Sequence, residues 1–313
     1  MTSGQKRILI ASPRGWCAGV ERAVQIVDGA LKRYGPPVYV RKQIVHNLHV
    51  VRELEAKGAI FVESEQEVPE GSICVLSAHG VAPEVYDNAR ARGLNLIDAT
   101  CPLVTKVHVE ARRFAKKGKT IFLIGHVGHE EVEGTSGQAP ERTIVVERPE
   151  DVEKIEVEDP GNVAFISQTT LAVDDTLDVV QALRNKFPGI SAPTKDDICY
   201  ASQNRQSAVK EISRRADLVL VVGSKNSSNS NRLVEVAVEH GARAFLVENE
   251  KGVDPQWLED AETIGISSGA STPEVLVERV IAHLASHGIV DIEEVEVASE
   301  DISFPLPAGV GGR

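Results

Sequence analysis

The stretch from Cys101 to Gly134 reads CPLVTKVHVEARRFAKKGKTIFLIGHVGHEEVEG and contains the pattern that decides the fold. Apolar residues recur at helical spacing after Cys101, and a short apolar run, TIFLI, follows near Lys119. The first pattern predicts an amphipathic helix and the second a buried β-strand. A polar loop with two histidines and three glutamates follows the strand. This alternation of helix and strand predicts a parallel α/β sheet.

The same order of elements occurs three times along the 313-residue chain. Each copy opens with a cysteine that leads into a helical pattern, at Cys17, Cys101 and Cys199. The third copy has no obvious final strand, and the N-terminal segment RILIASPRGWC has the form needed to complete it. A repeat of this length predicts one supersecondary unit per copy. The predicted boundaries are 17–99 for the first lobe, 100–197 for the second, 198–290 with the strand 7–16 for the third, and 291–313 for a C-terminal arm.

The predicted fold is therefore an α/β trefoil of three pseudo-threefold lobes. Each lobe is a small, mostly parallel sheet flanked by helices, and the lobes surround a central cavity. Ligands of parallel sheets bind beyond the carboxyl ends of the strands, where the three cysteines and the polar loops fall. The alternative is three independent lobes with solvated loops. We favour convergence because the loops are rich in His, Ser, Asn and Thr, whereas ordinary turns favour Gly, Pro and Asp.

Composition excludes some classes of protein. The formal net charge of −12 argues against a nucleic-acid-binding protein, which needs a basic face. The sequence has no membrane-spanning apolar run and no signal peptide, so we expect a cytoplasmic protein without a membrane partner. In a reducing compartment the four cysteines are not expected to form disulfides.

Three of the cysteines are candidate metal ligands. Cys17, Cys101 and Cys199 share a loop-to-helix junction, where the helix dipole lowers a thiol pKa and favours metal binding. Three thiolates on an axis suit an iron–sulfur cluster with one open iron better than a four-ligand structural zinc site. Cys74, inside the apolar run ICVL, is interpreted as a buried packing residue.

Polar residues of the loops are candidates for binding phosphate oxygens. They comprise three histidines that follow strands, and hydroxyl and amide side chains in the equivalent loops of the third copy: His46, His79, His129, Ser227, Ser228, Asn229 and Ser271. Among three neighbouring glutamates, Glu130 is assigned to the loop surface. Glu131 is assigned the role of proton donor, because a carboxyl beside a bound anion has a raised pKa. Thr169 is a candidate relay or orienting hydroxyl.

Several long strings together resemble the 4-hydroxy-3-methylbut-2-enyl diphosphate reductase family: RGWCAGVERAV, SAHGV, DATCPLVTKVH, GHVGHEEVEGT, SQTTL, DICYASQNRQ, VGSKNSSNSNRL and SSGAS. The resemblance implies a trefoil around a [4Fe–4S] cluster held by the three cysteines, with one open iron. It implies that the histidine, serine and asparagine candidates bind the substrate diphosphate, with Gln168 and Thr170 lining the same pocket. It also implies that Glu131 supplies the proton, with Thr169 beside it.

The implied reaction is reductive dehydroxylation of (E)-4-hydroxy-3-methylbut-2-enyl diphosphate to isopentenyl and dimethylallyl diphosphate, the last step of the non-mevalonate isoprenoid pathway. No nicotinamide or flavin fingerprint occurs, so ferredoxin or flavodoxin is the expected electron donor. Two alternatives stay open: an iron–sulfur dehydratase that needs no net electrons, and a diphosphate-binding or metal-sensing protein with structural zinc.

Overall fold

The computed structural model describes residues 6–308 and 310. Two compact units are present. Among the described residues, the first comprises 6–18, His46–Leu48 and Tyr200–Ile302, and the second comprises Gly19–Val45, His49–Cys199, 303–308 and 310. The described residues form three separate parallel sheets flanked by helices, which confirms the predicted α/β class. None of the described helices is both long and apolar enough to span a bilayer.

The sheet of the first unit has the strand order β10-β9-β11-β1-β12. Its strands are β1 (Arg7–Ser12), β9 (Leu218–Val222), β10 (Arg243–Val247), β11 (Thr263–Ser268) and β12 (Asp291–Glu296). Its helices are α8 (Tyr200–Ser213), α9 (Ser228–Glu239), α10 (Pro255–Glu259) and α11 (Glu274–Ser286), with a 3-10 turn at Glu250–Gly252. The N-terminal strand β1 pairs in parallel with β11. The first strand of the chain therefore supplies the final strand of the third repeat, as predicted.

Burial on both faces of this sheet follows from its strand sequences. Alternate residues of a strand point to opposite faces. In β1 and β9, alternate side chains pack into a hydrophobic core on one face of the sheet. The intervening side chains pack into a second core on the other face. The first set is Ile8, Ile10, Leu218 and Leu220, and the second is Leu9, Ala11, Val219 and Val221. The continuous apolar runs seen in the sequence are therefore the mark of a sheet covered on both sides.

The second unit holds the other two sheets. One has the order β3-β2-β4-β5, from β2 (Val38–Arg41), β3 (Ala59–Val62), β4 (Ile73–Leu76) and β5 (Asn95–Asp98). The other has the order β7-β6-β8, from β6 (Thr120–Ile124), β7 (Thr143–Val146) and β8 (Val163–Ser167). The helices are α1 (Ala18–Tyr34), α2 (Leu48–Ala56), α3 (Pro83–Ala91), α4 (Pro102–Lys116), α5 (Glu130–Ser136), α6 (Pro149–Lys154) and α7 (Val173–Lys186), with 3-10 turns at Glu65–Glu67 and Pro140–Arg142.

Two segments differ from the sequence analysis. The repeat predicts a final strand that leads to the next cysteine, at residues 190–199 in the second copy. These residues form only an isolated parallel bridge between Ser191 and Ala164. Pro193 lacks the N–H of a ladder residue, and the charged KDD that follows does not suit a buried strand. Residues 291–296, assigned to the C-terminal arm, form β12, an exposed edge strand that pairs in parallel with β1.

Candidate functional site

Each of the three candidate metal ligands is held through its own backbone amide by the loop after a parallel strand. The N–H groups donate to carbonyl oxygens in equivalent loops of the repeat: Cys17 to Ala270 at 3.2 Å, Cys101 to Ala78 at 3.0 Å and Cys199 to Thr169 at 2.9 Å. The first of these bonds lies in the first unit and the other two in the second. The repeat seen in the sequence thus extends to the hydrogen bonding of each cysteine.

The local surroundings of these thiols differ from those of Cys74. No disulfide joins the four cysteines, all of which lie in the described part of the chain. Cys17, Cys101 and Cys199 are half-buried, and each immediately precedes a helix. Cys74 is completely buried between strands, and burial raises the pKa of its thiol to about 11. The prediction that Cys74 is a packing residue is confirmed.

In the second unit, the carboxyl group of Glu131 is buried. Its side chain lies on the first turn of α5, and the residue is 2% exposed. The backbone N–H of Thr169 donates to Glu131 Oε1 at 2.6 Å, and the Thr169 hydroxyl donates to Oε2 at 3.0 Å. The structure therefore brings together the two residues that the sequence analysis paired as proton donor and orienting hydroxyl.

The environment of Glu131 favours its protonated form. Burial raises the pKa of its carboxyl to about 7, the nearby charge of Asp197 acts in the same direction, and the two bonds from Thr169 oppose the shift. Asp197 is itself buried and accepts from Lys106 Nζ at 3.1 Å and from the Ser167 N–H at 3.0 Å. A carboxyl with a pKa near 7 is suited to deliver a proton at physiological pH.

His79 and His129 lie close together in the second unit. Their ring centroids are 5.9 Å apart, with the rings edge to face. Burial lowers the pKa of His79 to about 4, and its Nδ1 lies 3.1 Å from Glu130 Oε2. Glu130 was assigned to the loop surface, and this is corrected: its side chain is only 18% exposed and contacts His79. The adjacent carboxylate orients the ring of a candidate ligand-binding histidine.

The loop after β6 is held in place by two further candidates. His129 caps α5, because its Nδ1 accepts the backbone N–H of Glu131 at 3.1 Å. Gln168 is buried, accepts the N–H of His126 at 3.0 Å and donates to the hydroxyl of Thr170 at 2.8 Å. The side-chain amide of Gln168 thus links the loops that follow β6 and β8. Gln168 therefore has a structural role in addition to any contact with a ligand.

In the first unit, Asn229 connects α9 to the loop that holds Cys17. Its Oδ1 accepts the N–H of Ala270 at 2.9 Å, and Ala270 in turn accepts the N–H of Cys17. Ser227 caps α9 by accepting the N–H of Ser230 at 3.2 Å. The N-terminal end of α9 therefore faces this loop with Ser228 half-buried at its first position, an arrangement that suits an anion.

His46 and Ser271 are also neighbours in this unit. The Ser271 hydroxyl donates to the backbone oxygen of His46 at 2.9 Å, and the Leu48 N–H donates to Ser224 Oγ at 3.2 Å. These two bonds fix the short segment His46–Leu48 at the carboxyl end of the sheet. Each compact unit thus presents its own group of predicted ligand-binding side chains.

Sequence reasoning missed several residues of these groups. Ser267 and Ser268, at the end of β11, are completely buried, and their hydroxyl oxygens have no partner among the residues that the structure describes. Buried polar atoms are normally satisfied, so both hydroxyls are available to a ligand or to water. Asp197 was also missed. Its only signal in the sequence was its position two residues before Cys199.

Gly269 packs closely against Ser230 of α9. A Cβ placed on Gly269 would lie 2.0 Å from Ser230 Oγ and 3.1 Å from Ser230 Cβ. Ser230 is completely buried, so Gly269→Ala is expected to destabilise the protein by about 1–3 kcal/mol through overpacking. Gly189→Ala is the matched control, since nothing lies within 4 Å of its added methyl. Thermal unfolding measures both, and equal melting temperatures would contradict the packing argument.

Fold and site define the class of the protein: a parallel α/β protein with a threefold repeat and a cysteine held at an equivalent loop in each copy. The family model described as LytB protein matches residues 8–285. The chain therefore belongs to the LytB family.

Relatives and solved structures support this assignment. The chain is 61% identical over 304 residues to the 4-hydroxy-3-methylbut-2-enyl diphosphate reductase of Acidothermus cellulolyticus, covering 97% of this chain and 89% of the relative. Its fold matches E-1-hydroxy-2-methyl-but-2-enyl-4-diphosphate reductase from Plasmodium falciparum with a TM-score of 0.95, 39% identity and coverage of 98% and 97% of the two chains. A structure described as (E)-4-hydroxy-3-methyl-but-2-enyl diphosphate reductase, the terminal enzyme of the non-mevalonate pathway, matches with a TM-score of 0.65, 31% identity and coverage of 90% and 99%.

Proposed function

We propose that this chain is an oxidoreductase that converts (E)-4-hydroxy-3-methylbut-2-enyl diphosphate to isopentenyl and dimethylallyl diphosphate, the last step of the non-mevalonate pathway. The reductase names of its relatives support this substrate. The observation that carries the chemistry is Glu131, a buried carboxyl bound twice by Thr169, with a pKa raised to about 7. Departure of a hydroxyl group as water requires such a proton source.

The donor set fits a [4Fe–4S] cluster with one iron that has no protein ligand. Cys17, Cys101 and Cys199 are half-buried thiols that each immediately precede a helix. Their amides are held in the same way in all three repeats, which supports a common role for the three thiols. When bound, such a cluster supplies single electrons and a Lewis-acidic iron.

The protein's own residues perform the remaining tasks. The overall reaction breaks one C–O bond, consumes two electrons and two protons, and releases water. Glu131 gives one proton to the departing hydroxyl oxygen, and the Thr169 hydroxyl and N–H hold that carboxyl in a single orientation. The second proton adds to either end of the allylic carbon unit, which yields the two isomeric products.

The diphosphate is assigned to the histidine, serine and asparagine side chains of the two units. The half-buried His79 stays neutral near pH 7 because burial lowers its pKa to about 4. A diphosphate beside the ring would offset that effect, because an opposite charge stabilises the imidazolium. The remaining proposed contacts are His46, His129, Ser227, Ser228, Asn229 and Ser271, with Gln168 and Thr170 lining the pocket.

The electrons are assigned to a separate protein such as ferredoxin or flavodoxin. No dinucleotide fingerprint of the GxGxxG type precedes a helix in the sequence. The cytoplasm is the proposed location, because its reducing conditions keep the four cysteines as thiols.

The function is tested on protein purified without oxygen. Iron and sulfide analysis, combined with turnover of the diphosphate in the presence and absence of a chemical reductant, is expected to give about four irons per chain and strict dependence on the reductant. Unchanged turnover without reductant would identify a dehydratase instead. A colourless protein that carries zinc would identify the binding or sensing alternative.

The pH dependence of turnover follows from Glu131. A carboxyl whose pKa is raised to about 7 is protonated below pH 7 and loses its proton above it. Turnover that needs this proton is expected to fall about tenfold per pH unit above pH 7. Initial rates measured from about pH 5.5 to about pH 9 at substrate concentrations far below KM give the profile of kcat/KM, which reports the pKa of the free enzyme. A rate that stays constant or rises up to pH 9 would remove Glu131 from this role.

A further inference from the structure

We propose that Arg22, Lys106 and Arg205 are positioning residues for the three cysteines. The side chain of each cation is hydrogen-bonded to the segment that precedes one cysteine, and each such set of bonds is called a strap. The three straps form a cycle, since each cation follows one cysteine in the chain and holds the next. The inference deepens the proposed function and rests on it, since the cysteines are assigned there as the cluster ligands. None of these cations was singled out from the sequence.

The spacing of the cations repeats with the cysteines. Arg22 comes five residues after Cys17 (22 − 17), and Lys106 comes five residues after Cys101 (106 − 101). Arg205 comes six residues after Cys199 (205 − 199). Each cation therefore lies in the second turn of α1, α4 or α8, the helix that its own cysteine precedes.

In the second unit, two straps reach the segments before Cys101 and Cys199. Arg22 donates from one terminal nitrogen to Ala99 O at 3.3 Å and to Thr100 O at 3.1 Å. Lys106 Nζ donates to the backbone oxygens of Lys195 at 2.7 Å and Asp196 at 2.5 Å, and to Asp197 Oδ1 at 3.1 Å.

In the first unit, the third strap reaches the segment before Cys17. Arg205 donates to Gly15 O from two nitrogens, at 2.9 and 2.7 Å, and to Trp16 O at 3.2 Å. Its side chain is completely buried, and Glu300 balances the charge with an oxygen 2.9 Å from it. Glu300 lies beyond β12, within the segment 291–313 that was assigned to a C-terminal arm, so this segment contributes to the strap.

Each cation holds the cysteine that comes next in the cycle and not the cysteine that precedes its own helix. A hydrogen bond to a charged donor is stronger than a neutral one, and the acceptors lie one to four residues before the next cysteine. Two sets of hydrogen bonds then hold the backbone that leads into each cysteine: the amide N–H of the cysteine donates to an equivalent loop, and oxygens of the preceding residues accept from the cation. Loss of a cation should loosen the cysteine that follows it in the cycle and leave the cysteine that begins its own helix in place.

The test is site-resolved labelling of the full chain. Protein purified without oxygen is challenged with an iron chelator in the presence of a thiol-alkylating reagent, and each cysteine peptide is quantified over time by mass spectrometry. The variants are Arg22→Met, Lys106→Met and Arg205→Lys, which retain the apolar stems of the cations. Lys32→Met and Lys116→Met, at exposed positions of α1 and α4, are the controls. Labelling of the buried Cys74 reports global unfolding in every sample.

The expected result is a cyclic pattern. Arg22→Met should accelerate labelling of Cys101, Lys106→Met that of Cys199 and Arg205→Lys that of Cys17, each by about tenfold, as loss of one charge-assisted bond implies. Faster labelling of the cysteine that precedes the substituted residue, equal acceleration at all three, or no change would overturn the proposal. If Arg205→Lys unfolds the chain, as labelling of Cys74 would reveal, Glu300→Gln tests the same strap. Absence of iron in the unmodified protein would refute the proposed function, whereas the labelling pattern would still decide the straps.

Discussion

Replacing Cys17, Cys101 or Cys199 singly with serine is expected to remove the iron and to reduce turnover by at least about a hundredfold. This loss exceeds the one that is typical when a residue hydrogen-bonded to a metal ligand is replaced. Serine has nearly the size of cysteine but is a poor ligand for the soft iron–sulfur centre. Iron per chain, visible absorbance and initial rate measure the effect. The three variants should behave alike, because the structure holds the three cysteines in the same way.

Cys74→Ala is the matched control for these substitutions. The side chain lies completely buried in the core beside β2 and β5, so its removal should cost about 1–2 kcal/mol of folding stability and leave the iron in place. Loss of iron in this variant, or full iron retention in two of the three serine variants, would contradict the proposed ligand set.

Glu131→Gln is expected to lower turnover by about 10²–10⁴-fold, the usual contribution of a positioned acid. Glutamine keeps the size of the side chain, and its amide oxygen can still accept the Thr169 N–H, which donates at 2.6 Å to Glu131 Oε1. The amide has no proton to give to a departing hydroxyl. Steady-state rates, combined with substrate affinity measured by calorimetry, separate loss of chemistry from loss of binding.

Glu133→Gln provides the control on the same helix, because Glu133 is exposed. It should retain iron, affinity and rate. Full activity of Glu131→Gln would remove this residue as proton donor, and loss of iron or of substrate binding in that variant would assign it a structural role instead. The residual rate of Glu131→Gln should also lack the decline above pH 7 expected of the unmodified protein.

The repeat made much of the architecture predictable. The continuous apolar run TIFLI predicted a buried strand, and the structure confirms it as β6. The N-terminal strand was predicted from its form alone to complete the third copy, and β1 pairs with β11. These features are local or periodic, so each is written in a few consecutive residues.

Long-range pairs explain what the sequence analysis missed. Glu130 looked like a surface residue because nothing nearby in the chain indicated its contact with His79, which lies 51 residues away. Asp197 acquires its influence on Glu131 through burial and proximity, and neither is encoded in its neighbours. The straps from Arg22, Lys106 and Arg205 join positions 77 to 190 residues apart.

The amino-acid sequence by itself determined the repeat, the alternation of helix and strand, the three cysteines at equivalent junctions and the resemblance to a reductase family. Each of these depends on residue type and spacing, which can be read directly from the sequence. Only the tertiary structure decided which side chains meet: that Thr169 binds Glu131 and burial raises its pKa to about 7, and that Asn229 fixes the loop of Cys17. Hydrogen bonds and desolvation depend on distances between residues remote in the chain, and folding sets those distances.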